Sequence, residues 1–226
     1  MSEIAERIGR IMERIEALRP RGDCRLMAVT KGQRWDRIQA AIEAGVRLFG
    51  ENRVQECTQK WAVRPDGLEI RMIGHLQRNK VKYAIQVFSG IDTIDGETLA
   101  EVLDRHLSRQ LSVMLEVNAG EERTKTGMLP TAVRGFLETA GQWQRLRFDG
   151  ILAMLPQARD SSLGESKRIR GLMQETAELW RICQRERWPW APLVELSMGM
   201  TSDYEWALEA GATIVRIGQG IFGPRQ

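Results

Sequence analysis

The chain has 226 residues, 42% of them hydrophobic and 28% charged, with a net charge of only +3. That is apolar material for one large core, and a basic excess so thin and dispersed argues against nucleic acid as a partner. Three cysteines without a close pair, Cys24, Cys57 and Cys183, exclude a zinc knuckle or a disulfide framework and suit a reducing compartment.

Taken in chain order, Ile4, Ile8, Ile11, Ile15 and Leu18 recur at helical spacing behind Ser2, an N-cap residue, until Pro20 and Gly22 stop the pattern. The N-terminus is acidic from Glu3 and has no apolar segment, so neither a signal peptide nor a membrane span is expected, and a cytoplasmic protein is. Residues 26–30 then have the length and β-branched content of a strand, and the strand ends on Lys31. Strict alternation puts Met27, Val29 and Lys31 on one face. A lysine that closes a strand is ordinarily a surface residue; an amine at the end of a buried strand is also a nucleophile. Both readings stand until the rest of the chain is placed.

Residues 35–44 read as a helix ending on Gly45, and 46–50 as a second strand running into Glu51, Asn52 and Arg53. A helix over 54–61 follows, then a third strand at 69–73 that delivers Gly74 and His75. The unit returns with strands at 87–93, 112–118, 149–154, 193–197 and 213–218, separated by helices at 97–110, 130–141, 165–186 and 203–210. Trp180, Trp188 and Trp190 are assigned to packing.

Eight strands alternating with helices require a parallel sheet, and eight such units close as an α/β (β/α)8 TIM barrel over 26–218, with an extra N-terminal helix over 1–20, in a single domain of 1–226. In that fold chemistry sits at the C-terminal ends of the strands, where Lys31, Asn52, His75, Asn118, Met154, Ser197 and Gly218 all fall. The loops after strands seven and eight commonly hold phosphate, and Gly218 and Gly220 would let the backbone approach an anion. A structural turn is the plain alternative. Set across the mouth from a lysine, the loops become a site for a phosphorylated carbonyl compound, which a neutral lysine amine attacks.

Ala28-Val29-Thr30-Lys31, the run from Phe49 to Glu56, the run from Ile73 to Lys80, Gly127, the run from Leu196 to Met200, Val215-Arg216-Ile217-Gly218 and Ile221-Phe222-Gly223 occur in one order through nearly the whole chain. On these blocks the sequence resembles the pyridoxal phosphate homeostasis protein family. The resemblance implies a fold-type III barrel similar to the N-terminal domain of alanine racemase, holding pyridoxal 5'-phosphate as a Schiff base on Lys31. It also implies Asn52 beside the cofactor, Met154 as a pocket wall, Ser197, Gly218 and Gln219 at the phosphate, and Arg216 facing the pyridine nitrogen. Gln219 departs from the family's frequent Ser or Thr, keeping the backbone N–H but lacking the hydroxyl. Gly32-Gln33-Arg34 replaces a frequent Thr-x-Pro, and residues 150–154 only approximate the family's Gly-Leu-Met segment.

Arg216 shares a strand face with Ile214 and Gly218, so it points into the mouth if Gly218 does. A guanidinium accepts no proton, and beside the pyridine nitrogen it weakens the ring as an electron sink. Two classes remain: a carrier that stores, buffers or delivers the cofactor, and a racemase, lyase or Schiff-base aldolase using the same lysine. A related racemase needs a second catalytic residue and a covering domain, and this chain ends at Gln226, soon after the eighth strand. The carrier is therefore expected: no enzyme, working as a monomer in the cytoplasm, with apo pyridoxal-phosphate enzymes as recipients and neither nucleic acid nor membrane as partner.

Overall fold

The computed structural model describes residues 2–19, 24–156 and 162–224; Pro20 and Gly22 lie outside them. Helix α1 (Glu3–Leu18) starts where Ser2 Oγ accepts the Ala5 N–H at 3.3 Å, with Glu3 and Glu6 in the first turn favouring the helix dipole. Its buried face is Ile8, Ile11 and Ile15. Eight strands follow: β1 (Arg25–Val29), β2 (Leu48–Glu51), β3 (Glu69–Met72), β4 (Gly90–Ile94), β5 (Leu111–Asn118), β6 (Leu146–Met154), β7 (Glu195–Ser197) and β8 (Ile214–Ile217). They pair in sequence order, and β8 pairs with β1 in parallel, so the sheet closes as the expected barrel. Between them lie α2 (Trp35–Glu43), α3 (Val54–Lys60), α4 (Val81–Val87), α5 (Glu97–His106), α6 (Pro130–Thr139), α7 (Leu163–Arg185) and α8 (Tyr204–Ala210). No helix among the described residues is long and apolar enough to cross a membrane.

Boundaries differ where helices compete with strands. Val87 finishes α4 and Phe88 caps it, its N–H donating to the Ala84 carbonyl, so β4 begins at Gly90 rather than 87. The helix expected to run to 110 stops at His106 because Leu107 turns extended. β6 starts at Leu146, three residues earlier than expected, because β5 pairs with it from Leu111↔Leu146 onward. A four-residue helix after β8, α9 (Gln219–Phe222), is too short to have left a periodicity.

Alternation, reset by one residue at an irregularity after Phe148 on β6, sorts the strand residues into two cores. Leu26, Ala28, Phe49, Ile70, Val113, Phe148, Ile151, Val215 and Ile217 face outward into the layer between sheet and helices. Met27, Leu48, Met114, Leu152 and Ile214 form a separate cluster on the barrel axis, with Ile73 and Met154 packed against it. Towards the strands' N-terminal ends the axis is filled by charge. Arg71 (3% exposed) pairs with the fully buried Asp92 at 2.6 Å, and Arg25 bridges Glu69 at 2.8 Å and Glu195. Burial disfavours the Arg71 charge, but Asp92 and Glu195 outweigh it and hold the guanidinium above its ordinary range. All three cysteines are buried thiols outside any disulfide, and burial pushes the Cys57 thiol up to about 12.

Helix α1 packs beside both ends of the barrel chain. Arg14 pairs with Glu205 on α8 at 2.8 Å, and Arg7 Nη1 donates to the Ile221 carbonyl on α9 at 3.4 Å. The charged plug yields a prediction. Arg71→Met strands Asp92 in an apolar interior and should cost about 3–5 kcal/mol, whereas Arg71→Met with Asp92→Leu should recover most of that loss. Denaturant unfolding of the two variants measures both.

Candidate ligand-binding site

The last residues of β1 carry the inward face to the mouth. Met27 belongs to the axial cluster, and Val29 and Lys31, two and four residues on, line a cavity of about 350 Å³ at the C-terminal end of the barrel. Lys31 sits on a turn: the Gln33 N–H donates to the Thr30 carbonyl at 3.0 Å, Gly32 has φ +70°, and the Gly32 N–H donates to Glu56 Oε1 at 2.5 Å. Across the cavity stand Met200, Thr201 and Ser202 from the loop after β7, and Arg216, Gly218 and Gln219 from β8 and its turn.

The loop after β7 is held by its own side chains. Gly199 has φ +86°, Asp203 Oδ1 accepts the Met200 N–H at 2.6 Å, and Thr201 Oγ1 accepts the Gly220 N–H at 3.1 Å, which ties the two turns together. Among the described residues, the backbone N–H groups of Thr201, Ser202, Gly218 and Gln219 meet no protein acceptor. Four unengaged donors on residues lining one cavity suit an oxyanion. A Cβ on Gly218 would meet Val29 only at an ordinary 3.5 Å, so the glycine leaves open a space the protein does not need. Gly220 is different: its Cβ would stand 2.8 Å from Ile217 Cγ2, so packing alone demands glycine there.

Arg216 is 7% exposed, its Nη1 donating to Ser197 Oγ and its Nη2 to the Ala153 carbonyl, each at 3.0 Å. Burial lowers its pKa from the ordinary value against the pull of Asp92, Asp203 and Glu116. Of the seven residues expected at the site, Lys31, Arg216, Gly218 and Gln219 line the cavity, and Asn52, Met154 and Ser197 stand apart from its lining. Ser197 is fully buried beneath Arg216. Met154 packs on the axial cluster, and Asn52 presents a shielded Oδ1 with no partner among the described residues.

Asn118 serves the loop after β5, its Nδ2 donating to the Glu122 carbonyl at 2.8 Å and its Oδ1 accepting the Glu122 N–H at 3.1 Å. His75, with Nδ1 3.5 Å from Asp95, lines a separate hollow of about 630 Å³. Another of about 600 Å³ opens beside Arg25 and Glu195. Neither is lined by a lysine. The sequence reading assigned the loop after strand seven to phosphate but named none of Met200, Thr201 and Ser202 as site residues; the glycine at 199 and the aspartate at 203 were the signal that a turn there would expose backbone donors.

A closed barrel with this mouth is of the alanine racemase N-terminal domain class, and the family described in those words matches residues 2–226. Within that class the chain belongs to the pyridoxal phosphate homeostasis protein family. A relative of that name from Aquifex aeolicus is 34% identical over 230 residues, covering 98% of each chain. The human protein of that name is 33% identical over 236 residues, covering 98% of this chain and 82% of its own. Among solved structures, PipY of Synechococcus elongatus with pyridoxal phosphate bound superposes with a TM-score of 0.83 at 32% identity, over 98% of this chain and 100% of that one. An alanine racemase from Clostridium difficile, 12% identical, shares the fold with a TM-score of 0.74, over 94% of this chain and 55% of its own.

Two predictions follow from local geometry. Burial pushes Glu56 up, but the hydrogen bonds from Lys60 and the Gly32 N–H outweigh it, and its carboxyl sits below the ordinary 4.5. A depressed carboxyl contributes stability that is present above the unfolded value and lost as pH falls through the folded one. Unfolding free energies of Glu56→Gln and the unaltered protein should thus differ at neutral pH and converge as pH falls below the ordinary 4.5 and through the carboxyl's lower folded value. Gly220→Ala should destabilise by about 1–3 kcal/mol through overpacking, while Gly218→Ala should unfold within about 1 kcal/mol of the unaltered protein.

Proposed function

We propose that the protein binds pyridoxal 5'-phosphate in the mouth cavity and stores, buffers or delivers it, without substantial turnover of its own. The observation that carries this reading is the meeting, in one 350 Å³ cavity, of the Lys31 side chain with four residues whose backbone donors are unengaged. The residues fit the cofactor: the space beside Gly218 is open, Asn52 Oδ1 awaits a donor, and the buried guanidinium of Arg216 is at the cavity wall. The names of the relatives and the pyridoxal phosphate bound in PipY support the same ligand.

When bound, the cofactor supplies an aldehyde for covalent attachment and a pyridine ring that can withdraw electrons. Lys31 provides the amine that attaches it. Thr201, Ser202, Gly218 and Gln219 hold the phosphate through backbone N–H groups, and Ser197 acts one step back, fixing Arg216. Met154, packed on the axial cluster, and Asn52, with its Oδ1 unpartnered among the described residues, are set back from the lining and would support the ring from behind it. Arg216 offers the ring nitrogen a hydrogen bond but keeps its own proton, so the ring is left a weak electron sink. The working unit is one chain in the cytoplasm, and the recipients are apo forms of enzymes that need the cofactor.

Borohydride reduction of the loaded protein should fix the cofactor on Lys31, and Lys31→Ala should abolish the visible absorption band. An adduct found mainly on Lys80, Lys82 or Lys125 would overturn the assignment. Incubated with L-alanine in deuterated water, the loaded protein should show no Cα exchange above free cofactor, yet pass cofactor to an apo-enzyme. Lys31-dependent exchange at enzymatic rates would sink the carrier reading. Gly218→Ala, neutral to folding, should bind the phosphate about tenfold more weakly, a loss of one good hydrogen bond's worth.

A further inference from the structure

The backbone on both sides of Lys31 is fastened to a buried ion cluster on the outer side of the barrel. Glu51, the last residue of β2, is fully buried; its Oε1 accepts the Thr30 hydroxyl at 2.7 Å, Lys60 Nζ at 2.8 Å and Trp61 Nε1 at 3.3 Å. Lys60, at the end of α3 with its side chain 9% exposed, directs its ammonium to three acceptors: the Thr30 carbonyl at 2.6 Å, Glu51 Oε1 at 2.8 Å and Glu56 Oε1 at 2.7 Å. An ammonium has three donors, and all three are used. Glu56 also receives the Gly32 N–H. One cation therefore ties down the carbonyl of the residue before Lys31 directly, its hydroxyl through Glu51, and the N–H of the residue after it through Glu56.

Neutralising Glu51 would need only one partner, and a buried ion pair is seldom the cheapest way to fill space. What the extra bonds accomplish is geometric, since they fix the two peptide units from which the Lys31 side chain departs. Neither Lys60 nor either glutamate lines the cavity. Whatever they contribute there passes through Lys31.

We propose that Lys60, with Glu51 and Glu56, is a positioning residue for Lys31, aiming its amine at the place where an aldehyde carbon must stand. The inference rests on the function proposed above. In the step it serves, the neutral Lys31 amine adds to the aldehyde carbon, and the aldehyde oxygen departs as water carrying the two amine hydrogens. Misplacing a reacting group by about 1 Å costs up to about a hundredfold in rate.

The test compares two ligands on the full-length protein. Pyridoxal 5'-phosphate reports attachment; pyridoxine 5'-phosphate, with a hydroxymethyl group in place of the aldehyde, reports only the hold on phosphate and ring. Lys60→Met with Glu51→Gln removes the cation and its buried counter-charge together. Thr30→Val removes a single hydroxyl, and carries the test alone should the double variant fail to fold. The expected result is attachment to Lys31 slowed about 10- to 100-fold in the first and about threefold or more in the second, with pyridoxine 5'-phosphate affinity within about twofold of normal. Unchanged attachment rates, or equal losses for both ligands, would overturn the positioning role. Absence of attachment at Lys31 in the unaltered protein would bring down the proposed function, and this inference with it.

Discussion

A closed sheet of eight strands must fill its own axis, and that constraint organises everything else in this molecule. The side chains that fill it come in storeys. Arg25, Arg71, Asp92 and Glu195 occupy the end where the strands begin, and Met27, Leu48, Met114, Leu152 and Ile214 occupy the middle. The far end of the axis carries the cavity that Lys31 lines. The charged storey has no apolar neighbour that could replace it piecemeal, because each charge is set against an opposite one. The apolar storey stands between it and the mouth, where an amine and a guanidinium face four unengaged backbone donors, and Asp92 still pulls on Arg216 across it.

Arg216 is the member that joins the storeys. Its backbone pairs with Met27, in the apolar layer, while its guanidinium reaches Ser197 and the Ala153 carbonyl and lines the cavity. A side chain with five donors and no acceptor, locked by two hydrogen bonds from its terminal nitrogens, is a rigid statement about polarity. It presents hydrogen-bond donors to a ligand atom and removes none of its protons. On the proposed function, that is the character a holder of a reactive cofactor requires.

Much of this was legible in the sequence because it depended on alternation alone. Lys31 follows Met27 and Val29 at two-residue spacing, and Arg216 follows Ile214, so the inward face could be read from the residues. Depth along the axis could not. Ser197 faces inward as alternation requires, but it pairs with Ile214, two strand repeats below Gly218 and beneath Arg216, because the strands of a barrel are tilted and staggered. The donors of Thr201 and Ser202 were hidden for another reason: they depend on backbone shape around Gly199 and on the Asp203 side chain, and no hydrophobic pattern records either. The cluster around Lys60 needed α3 to fold back across the ends of β1 and β2, which is a property of packing. The start of β4 was misplaced because Val87 satisfies a helix as readily as a strand.

Lys31 follows the first strand and Gly218 follows the last, and those two strands are neighbours only because the barrel closes between them. The pocket therefore straddles the joint, with α1 laid across it through Arg14 and Glu205. Contacts so distant in sequence carry the greatest loop-closure entropy and are the slowest to form. A chain synthesised from its N-terminus exposes the lysine long before the anion cradle exists. On the proposed function, capture of a phosphorylated aldehyde is thus reserved for the finished molecule, and a ligand held from both sides acts as a clasp on the joint, raising the stability of closure by its own binding free energy.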